Sequence, residues 1–401
     1  MERKGSRQII VAGGGIAGLT AALAFARRGF AVELYERAAR MEEVGAGLQL
    51  SPNAVHLLDE LGVTAALAGF AVRPQAVKVV DARTLRVLAQ VRLGDFALAR
   101  WGAPYLVAHR ADLQNVLLAR AEQERDITIV TGAAINNFAV RPGGVTVSID
   151  RDGSIIEVMG RLLVGADGVW SSLRRATGKQ HASRFSGSIA WRATVRTDGE
   201  AGAIVSAIAG RDNVGVFVHP DFHMIAYPLR GGDLINLVAF TRGASPGERW
   251  SGEADAALLG KAVAASAAEL RSLVAAVASW TVWPIHTVAP DAPWTSGSAV
   301  ALIGDAAHAM TPFAAQGAAM AIEDAVTLAD VVAGNGDEIA LRRWETTRLR
   351  RVRQVIRRGA LNHLAWNASG PIALARDLLL RMRSPEGLAR DLDWLYGWRK
   401  P

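Results

Sequence analysis

GADGVWSSLR, Gly165 to Arg174, lies between an early glycine-rich segment, GGGIAG at Gly13 to Gly18, and a late one, GDAAHAMTPFAAQG at Gly304 to Gly317. A glycine-rich turn before a helix binds the pyrophosphate of many dinucleotides, so the first segment alone indicates only that ligand class. The third segment adds an acid and a Gly-led apolar helix, which would place a carboxylate beside a polyol and a helix N-terminus beside an anion-accepting ring. The three segments in this order therefore predict a flavin site.

The residues around the first segment predict a β-α-β unit. QIIVA, Gln8 to Ala12, is apolar throughout, as in a buried strand, and a helix is expected from Ile16 to Arg28, where Gly29 ends it. AVELYE, Ala31 to Glu36, predicts the second strand. The nearly uncharged stretch 9–26 is similar to a signal peptide or membrane span, but its three adjacent glycines favour a turn instead.

Within this unit three glycines and one acid have distinct expected roles. Gly13 allows a tight turn, Gly15 lets backbone N–H groups approach a pyrophosphate, and Gly18 lets the helix lie close to the strand. Glu36 ends the second strand, where an acid accepts hydrogen bonds from an adenosine ribose and disfavours a 2′-phosphate. The expected ligand is therefore FAD and not NADP.

The composition narrows the class of protein. The chain has 401 residues, half of them apolar, which predicts more than one compact unit. Its net charge of +7 includes eight arginines between Arg342 and Arg358, a local cluster that we interpret as a solvated helix face or a subunit contact rather than a nucleic-acid site. Cysteine is absent, which excludes disulfides and thiol catalysis. We expect a cytoplasmic monomer or homodimer with no metal site, no nucleic-acid partner and no integral membrane segment.

The remaining pattern predicts an α/β fold in which a Rossmann-like FAD-binding domain is interrupted by a second domain. Residues 185–283 contain strand-like runs separated by turns, with one alanine-rich helix near Glu253 to Val277, which is typical of a mixed sheet. The chain is mainly helical from Leu341 onward. The predicted ranges are 1–75, 100–180 and 285–335 for the FAD-binding domain, 76–99 and 181–284 for the mixed-sheet substrate domain, and 336–401 for the C-terminal helices.

Shorter elements are also predicted. Val77 to Leu93 and Thr146 to Gly160 alternate as strands do, with a hairpin turn at Asp152-Gly153. His109 to Glu124 is an amphipathic helix, and Gly45 to Gly62 is a turn leading into a helix. No second GxGxxG occurs, so a pyridine nucleotide is not expected to have a separate Rossmann site.

These segments resemble those of the single-component FAD-dependent aromatic hydroxylases of the p-hydroxybenzoate hydroxylase fold, over nearly the whole chain. Within that family the sequence is similar to the branch of salicylate hydroxylase, 3-hydroxybenzoate 6-hydroxylase and 6-hydroxynicotinate 3-monooxygenase. The segments that carry this similarity are GAGLQLSPNA at 45–54, HRADL at 109–113, the WR of IAWRATV at 189–195, HMIAYPLRGGDLINLV at 223–238 and DWLYGW at 393–398. The resemblance implies reduction of FAD by NADH or NADPH, formation of a flavin C4a-hydroperoxide from O₂, and oxygen transfer to a small phenolic or heteroaromatic substrate.

The family pattern also implies which residues contact FAD. Asp305 matches the acid that hydrogen-bonds the ribityl chain, Arg110 the arginine that lies along the flavin, and Asp167 a motif that serves both FAD and NAD(P)H. Gln316 and Gly317 begin the helix whose N-terminus faces the flavin pyrimidine. The full implied set is Gly13, Gly15, Gly18, Glu36, Arg37, Gly47, Arg110, Asp167, Gly304, Asp305, Gln316 and Gly317.

Three residues are implied in catalysis. His223 and Tyr227, four residues apart on a predicted strand, match a His/Tyr pair of the hydroxynicotinate branch, and a base is useful because phenolates are the activated form of phenols. Positions four apart also share a strand face in any core, so a structural role for His223 stays open. Pro312 is expected near the reactive edge of the flavin. His219 and His308 are weaker candidates, and His308 also has a structural interpretation.

Two departures from the family pattern bear on the substrate. Gln49 stands where the hydroxynicotinate enzymes carry histidine, which argues against a hydroxypyridine, and Pro312 stands where the 3-hydroxybenzoate 6-hydroxylases tend to carry glutamine, which argues against that regiochemistry. A carboxylated substrate requires a cation, for which Arg192, Arg196 and Arg230 are candidates. The alternative activity is that of an epoxidase or quinone-ring hydroxylase. A third alternative is a non-catalytic binding protein, as in the prenyl-GTPase dissociation inhibitors.

Overall fold

The computed structural model describes residues 7–41, 47–177, 182–244, 252–253, 255–289 and 291–400. The strands in these residues are β1 (Gln8–Ala12), β2 (Ala31–Glu36), β3 (Gly47–Leu50), β4 (Ala76–Asp81), β5 (Val87–Arg92), β6 (Leu106–His109), β7 (Ile127–Thr131), β8 (Ala133–Arg141), β9 (Gly144–Arg151), β10 (Ser154–Gly160), β11 (Leu162–Gly165), β12 (Arg184–Arg196), β13 (Asn213–Val218), β14 (Phe222–Leu229), β15 (Leu234–Arg242), β16 (Gly252–Glu253), β17 (Thr281–Thr287), β18 (Thr295–Ser296) and β19 (Val300–Leu302).

The helices are α1 (Ile16–Ala26), α2 (Pro52–Glu60), α3 (Thr64–Leu67), α4 (Gly94–Trp101), α5 (Arg110–Glu122), α6 (Ser172–Thr177), α7 (Glu200–Ala209), α8 (Ala256–Val263), α9 (Ala268–Ala276), α10 (Asp305–His308), α11 (Gly317–Gly334), α12 (Glu338–Trp366), α13 (Gly370–Met382), α14 (Pro385–Arg390) and α15 (Asp393–Tyr396). Two short 3₁₀ turns occupy Arg230–Gly232 and Pro312–Ala314. None of these helices is both long and apolar enough to cross a lipid bilayer.

The first sheet has the strand order β18-β19-β11-β1-β2-β7, and its central strands are parallel. β1 is buried on both faces, which explains why QIIVA is a continuous apolar run. β1 and β2 have the predicted bounds, whereas α1 ends at Ala26, two residues before the predicted Arg28, and Gly29 follows with a left-handed φ of 75°. The predicted hairpin between β9 and β10 is confirmed, because Asp152 and Gly153 have φ of 53° and 78°, as a type I′ turn requires.

The second sheet has eight strands in the order β16-β17-β12-β15-β14-β13-β4-β5, and it is antiparallel except where β13 pairs with β4. One face carries a separate apolar core, in which Phe217, Met224 and Leu237 pack with residues of α7, α8 and α9. The opposite face, which includes Ile225 and Val238, belongs to the core of the first sheet. Alternation along β14 therefore directs every second side chain toward the first sheet. The predicted α/β fold with a mixed sheet and a helical C-terminus is confirmed.

Several local predictions require correction. The alanine-rich segment forms α8 and α9 rather than one helix, because Ser266 Oγ donates to the Val263 carbonyl at 2.7 Å and Ala267 is extended before α9 begins. The helix α7, between β12 and β13, has no counterpart in the sequence predictions. Residues 47–50, expected in a turn, form β3, which pairs with β6. Gly45, at the start of that predicted turn, lies outside the described residues.

The arginine cluster lies on α12, and part of it is buried. Arg348 and Arg351 are 2% and 8% exposed and pair with the carboxylates of Glu323 and Asp324 on α11 at 2.6–2.8 Å. Their spacing of three residues places both on the side of α12 that meets α11. The interpretation of the cluster as a solvated face is therefore wrong for these two arginines, which fix one helix against the other.

Candidate active site

A cleft of about 680 Å³ opens where the carboxyl ends of β1, β2 and β11 meet the inner face of the eight-stranded sheet. Ligands of open parallel sheets bind at this edge. The sequence-predicted residues that line the cleft are Gly13, Gly15, Glu36, Arg37, Gly47, Arg110, Asp167, Tyr227, Asp305, Pro312 and Gly317. Of the residues predicted to contact FAD or to be catalytic, the four that do not line it are Gly18, His223, Gly304 and Gln316.

The glycine turn after β1 leaves its backbone open toward the cleft. Gly13 has a φ of 104°, and a Cβ atom there would lie 2.5 Å from the Ala166 carbonyl oxygen. A Cβ atom on Gly18 would overlap the Gly13 carbonyl oxygen, because α1 begins so close to β1. Gly15, in contrast, has no other atom within 4 Å of its Cβ position. The tight packing therefore lies behind the turn, and the open side faces the cleft.

Glu36 contacts this turn directly. Its Oε2 accepts a hydrogen bond from the Gly14 N–H at 2.7 Å, and its Oε1 accepts one from the Ala38 N–H at 2.8 Å. These bonds hold the carboxylate at the cleft, at the end of β2. Each carboxylate oxygen has a further lone pair, so the acid keeps capacity to accept hydrogen bonds from a ligand.

The GADG segment is tied to the third glycine-rich segment by an arginine. Asp167 Oδ2 accepts hydrogen bonds from the N–H of Ser172 at 2.8 Å and from the Oγ of Ser172 at 3.1 Å. Ser172 is the first residue of α6. The Oδ1 of Asp167 is buried with no hydrogen-bond partner among the described residues. Arg174, buried in the same segment, donates to the carbonyls of Ala306 at 2.8 Å and Val169 at 2.5 Å. Arg174 was not singled out from the sequence, where its only signal is a charge within a motif of small and apolar residues.

Asp305 is presented to the cleft by a buried polar network. It is the exposed first residue of α10. The N–H of Gly304, which has a φ of 58°, donates to Asp324 Oδ2 at 3.0 Å. Asp324 also accepts from His308 Nε2 at 2.5 Å and from Arg348 Nε at 2.7 Å. Burial alone would raise the pKa of Asp324, but the charge of Arg348 and the hydrogen bonds from His308 and the Gly304 N–H lower it, so the residue stays ionised and holds the turn. The structural interpretation of His308 agrees with this contact.

Gln316 and Gly317 occupy different environments at the start of α11. Gly317 lines the cleft, so the N-terminus of this 18-residue helix faces it. Gln316 is buried, and its Nε2 donates to Ser51 Oγ at 2.9 Å. Ser51 precedes α2 as its N-cap residue. The glutamine therefore joins α11 to α2 behind the cleft.

Cross-strand register arranges the sheet face that closes the cleft into three rows. The rows run across β12, β15 and β14 and consist of Ala190, Phe240 and His223, then Arg192, Val238 and Ile225, then Thr194, Asn236 and Tyr227. Consecutive rows are two residues apart on each strand, so all nine side chains share one face. The middle row lies wholly along the cleft.

Among the three candidate arginines, Arg192 is the one that lines the cleft. Its guanidinium lies over the Trp283 ring, 5.0 Å from the ring centroid. Arg196 and Arg230 form ion pairs with Asp198 and Asp112, at 2.7 Å and 2.9 Å, outside the cleft. Arg192 therefore supplies a cation within the apolar part of the cleft.

His223 lies behind the cleft wall and is completely buried. Its ring stacks on Phe240 at 4.7 Å and contacts Phe313 at 5.2 Å and Trp366 at 5.0 Å between centroids. Neither ring nitrogen makes a hydrogen bond of good geometry among the described residues, and the Asn367 side chain is a polar neighbour of the ring. Burial lowers the pKa of His223 to about 3, so the imidazole is neutral at physiological pH. His219 also lies outside the cleft and is nearly fully buried.

Tyr227 lines the opposite end of the same face. Burial raises the pKa of its phenol, which is therefore neutral. A Cβ atom on Gly47 would lie 2.6 Å from Tyr227 Cε2, and the Gly47 N–H donates to Asn236 Oδ1 at 2.7 Å. Gln49, two residues along β3, lines the cleft and accepts a hydrogen bond from Tyr105 at 2.6 Å. The start of β3 is thus anchored to the eight-stranded sheet.

The protein is expected to lose stability as the pH falls below about 6.5, and a His223→Gln variant is expected to lose less. Histidine in the unfolded chain takes up a proton near pH 6.5, whereas the buried imidazole stays neutral down to a pH of about 3. The unfolded state therefore binds more protons over this interval, and stability falls with pH. The difference in the free energy of unfolding between the parent and the variant should change by at most about 1.4 kcal/mol per pH unit. Urea unfolding at several pH values from 7 to 5 measures this difference, and parallel curves would contradict it.

Comparison with known proteins agrees with this site. The sequence model of a family described as FAD binding domain matches residues 6–359. The chain is 33% identical over 393 residues to the 3-hydroxybenzoate 6-hydroxylase of Polaromonas naphthalenivorans (strain CJ2), with 97% of this chain and 96% of that protein covered. It is 34% identical over 395 residues to the 3-amino-4-hydroxybenzoate 2-monooxygenase of Streptomyces cremeus, with 97% and 95% covered. The solved structure of Klebsiella pneumoniae HpxO with FAD and uric acid aligns with a TM-score of 0.82 and 26% identity, over 97% of this chain and 96% of that one.

The fold and the site define a flavin-dependent monooxygenase. The chain belongs to the family of FAD-dependent aromatic hydroxylases, which use NADH or NADPH as a transient co-substrate. The residues present fit FAD, because Gly15 leaves open space at the turn, Asp305 offers an exposed carboxylate and Asp167 keeps a buried oxygen without a partner among the described residues. These relatives support the hydroxylase interpretation over the epoxidase and binding-protein alternatives.

Proposed function

We propose that the protein hydroxylates a small aromatic acid that carries a ring hydroxyl, with the carboxylate at Arg192 and the hydroxyl at the row that contains Phe240 and His223. The observation that carries this proposal is the register of the eight-stranded sheet, which places a cation and a buried neutral imidazole in adjacent rows of one face. Ile225 and Val238 supply apolar surface for the ring. The names of the relatives agree, since both act on hydroxylated benzoates.

The spacing of the rows supports a one-ring substrate. Side chains on one face of a strand repeat about every 6.6 Å, which is comparable with the width of a substituted benzene ring. His223 and Tyr227 are four residues apart, about 13 Å along β14. The two residues therefore lie at opposite ends of the patch. Although they match a His/Tyr pair of the hydroxynicotinate branch, they contact different groups of the substrate.

Each side chain has a definable part in the reaction. Arg192 forms a charge-assisted hydrogen bond with the carboxylate, and Tyr227, being neutral, donates a hydrogen bond at the same end. His223, being neutral, accepts a hydrogen bond from the ring hydroxyl when the substrate displaces the Phe240 ring that stacks on it, and this bond raises the electron density of the ring. Pro312 lines the cleft without a backbone N–H, so it adds no donor there. When bound, FAD takes two electrons from NADH or NADPH and, with O₂, supplies the oxygen atom that enters the ring.

The FAD contacts complete the proposal. Glu36 binds the adenosine ribose, and the open backbone at Gly15 binds the pyrophosphate. Asp305 binds the ribityl chain, and Gly317 directs the N-terminus of α11 at the pyrimidine, where a helix end stabilises the negative charge of reduced flavin by about 0.3–1 kcal/mol. The Oδ1 of Asp167, which has no hydrogen-bond partner in the described part of the chain, is available to FAD or NAD(P)H. A cytoplasmic location, which agrees with the absence of cysteine, is part of the same proposal.

Hydroxylated benzoates are expected to accelerate NADH-dependent reduction of the bound FAD by about tenfold or more, because substrate binding completes the site. A long-chain quinone precursor is expected to have no such effect, since the apolar face between the rows is the size of one ring. Stopped-flow absorbance of the flavin measures both rates. Stimulation by the quinone precursor alone, with a product oxygenated on its ring, would transfer the assignment to the alternative activity.

An Arg192→Gln variant is expected to raise the KM for a hydroxybenzoate about ten- to a hundredfold, since losing a charge-assisted hydrogen bond costs roughly 1.5–3 kcal/mol. The matched control is a phenol without a carboxylate, whose KM should change little. Steady-state NADH oxidation with both ligands gives the comparison. Equal effects on the two ligands would show that Arg192 does not bind the carboxylate.

A further inference from the structure

The helix α13 buries an arginine and exposes most of its large apolar side chains. The one residue of this fully described helix that is buried is Arg376. Its guanidinium donates to the Ala365 carbonyl at 2.8 Å, near the end of α12, and pairs with Asp377 at 2.6 Å. The helix is therefore attached to the molecule through Arg376 and the half-buried Leu380, and its other large apolar side chains point away from the core.

The exposed side of α13 forms a continuous apolar ridge. Leu374, Leu378 and Met382 follow one another at a spacing of four residues, which places them in a row along one face. Ile372 and Leu379 flank this row. All five side chains are between 60% and 75% exposed in the single chain. A surface helix normally directs its charged face to water, so the arrangement requires a partner.

The area of this ridge decides what kind of partner it requires. Leu361 and Leu364, 62% and 65% exposed, lie near the end of α12, where Arg376 attaches α13. Seven large apolar side chains at this exposure present on the order of 800 Å², whereas the largest apolar patch of a typical monomer is about 300–600 Å². A standard protein–protein interface buries about 800 Å² on each partner. The ridge together with Leu361 and Leu364 therefore supplies the area that a stable dimer needs.

We propose that the ridge, with Leu361 and Leu364, is the contact surface between two copies of this chain. A twofold axis places the same residues of both copies against each other, so apolar surface covers apolar surface. Rows at a spacing of four residues also fit into the grooves of an identical helix. A lipid surface fits less well, because α13 contains no tryptophan, tyrosine or phenylalanine, which interfacial helices use together with basic residues.

The FAD-loaded full chain is expected to sediment as a dimer at micromolar concentration, and a Leu374→Glu/Leu378→Glu variant as a monomer, because four carboxylates would be buried in one interface. The matched control is Leu258→Glu on α8, where the leucine is 56% exposed and lies away from the ridge. This variant should remain a dimer. Unchanged FAD content and circular dichroism identify variants that are folded.

Cysteine cross-linking gives a second measurement that does not depend on the glutamate variants folding. The chain has no cysteine, so Leu374→Cys, Leu378→Cys and Met382→Cys each add the one thiol of the protein. At least one of them should form a covalent dimer on mild oxidation, and Leu258→Cys should form none.

Three results would overturn the proposal. The first is a parent protein that is monomeric at all concentrations. The second is a dimer that survives both glutamates while none of the three thiols cross-links. The third is a monomeric parent that binds phosphatidylcholine–phosphatidylglycerol vesicles through the same leucines, which would assign the ridge to a lipid surface.

Discussion

Asp305→Ala is expected to purify with little FAD and to bind added FAD about ten- to a hundredfold more weakly, because losing a charge-assisted hydrogen bond to a polyol hydroxyl costs roughly 1.5–3 kcal/mol. The carboxylate is exposed at the cleft, while the turn behind it is fixed through Gly304 and Asp324. The substitution should therefore remove the contact without moving the backbone. Titration of the apoprotein with FAD, followed by flavin fluorescence, measures the Kd.

Two variants separate a direct contact from a general loss of stability. Asp305→Asn keeps the shape and one acceptor, so its Kd should lie between those of the parent and the alanine variant. Asp198→Ala removes a carboxylate that is 68% exposed and pairs with Arg196 far from the cleft, and it should leave the Kd unchanged. If Asp305→Ala binds FAD as tightly as the parent, the assignment of this residue to the ribityl chain is wrong.

The parts of the fold that the sequence predicts well depend on local signals. β1, the glycine turn and β2 are encoded within 30 consecutive residues, where a buried apolar run, closely spaced glycines and a second strand leave few alternatives. The hairpin at Asp152-Gly153 is local in the same sense, since the turn residues determine its type. The order of the three glycine-rich segments predicts the family, and the comparisons confirm this prediction.

The parts that the sequence does not predict depend on contacts between distant residues. Arg174 joins two segments that are more than 130 residues apart, and no local pattern identifies its carbonyl acceptor at Ala306. Arg348 belongs to an arginine-rich helix that looks solvated, yet its partner Asp324 lies on α11, 24 residues away. The burial of such charges follows from the packing of two helices and has no signal in either helix alone.

The sheet register has the same nonlocal character. His223 and Tyr227 share a strand face, as their spacing predicts, but the side chains that surround each residue come from β15, the Pro312 turn, α12 and β3. These neighbours bury His223 behind the cleft wall and place Tyr227 in that wall. Sequence reasoning therefore identifies candidate residues for the substrate pocket, whereas their separation and protonation follow only from the fold.

His223→Gln is expected to lower the rate of hydroxylation about five- to a hundredfold, because a displaced hydrogen-bond acceptor at a buried site costs roughly 1–3 kcal/mol. Substrate should still stimulate NADH oxidation, since Arg192 and the apolar face that bind the ring are intact. Much of the consumed O₂ should then appear as hydrogen peroxide. Among the described residues neither buried ring nitrogen makes a hydrogen bond of good geometry, and weakly satisfied buried nitrogens are costly, which is the physical reason to expect a substrate hydroxyl there.

The coupling of NADH oxidation to product distinguishes this role from a structural one. A residue that only fills space behind Phe240 and Phe313 would alter FAD content or unfolding when replaced, and it would leave the fraction of NADH recovered as product unchanged. Tyr227→Phe is the matched comparison, because it removes one hydroxyl from the other end of the patch and should change KM while coupling persists. Parallel assays of NADH, hydrogen peroxide and hydroxylated product decide the matter. Full coupling in His223→Gln, with a normal rate of hydroxylation, would assign His223 to the protein core.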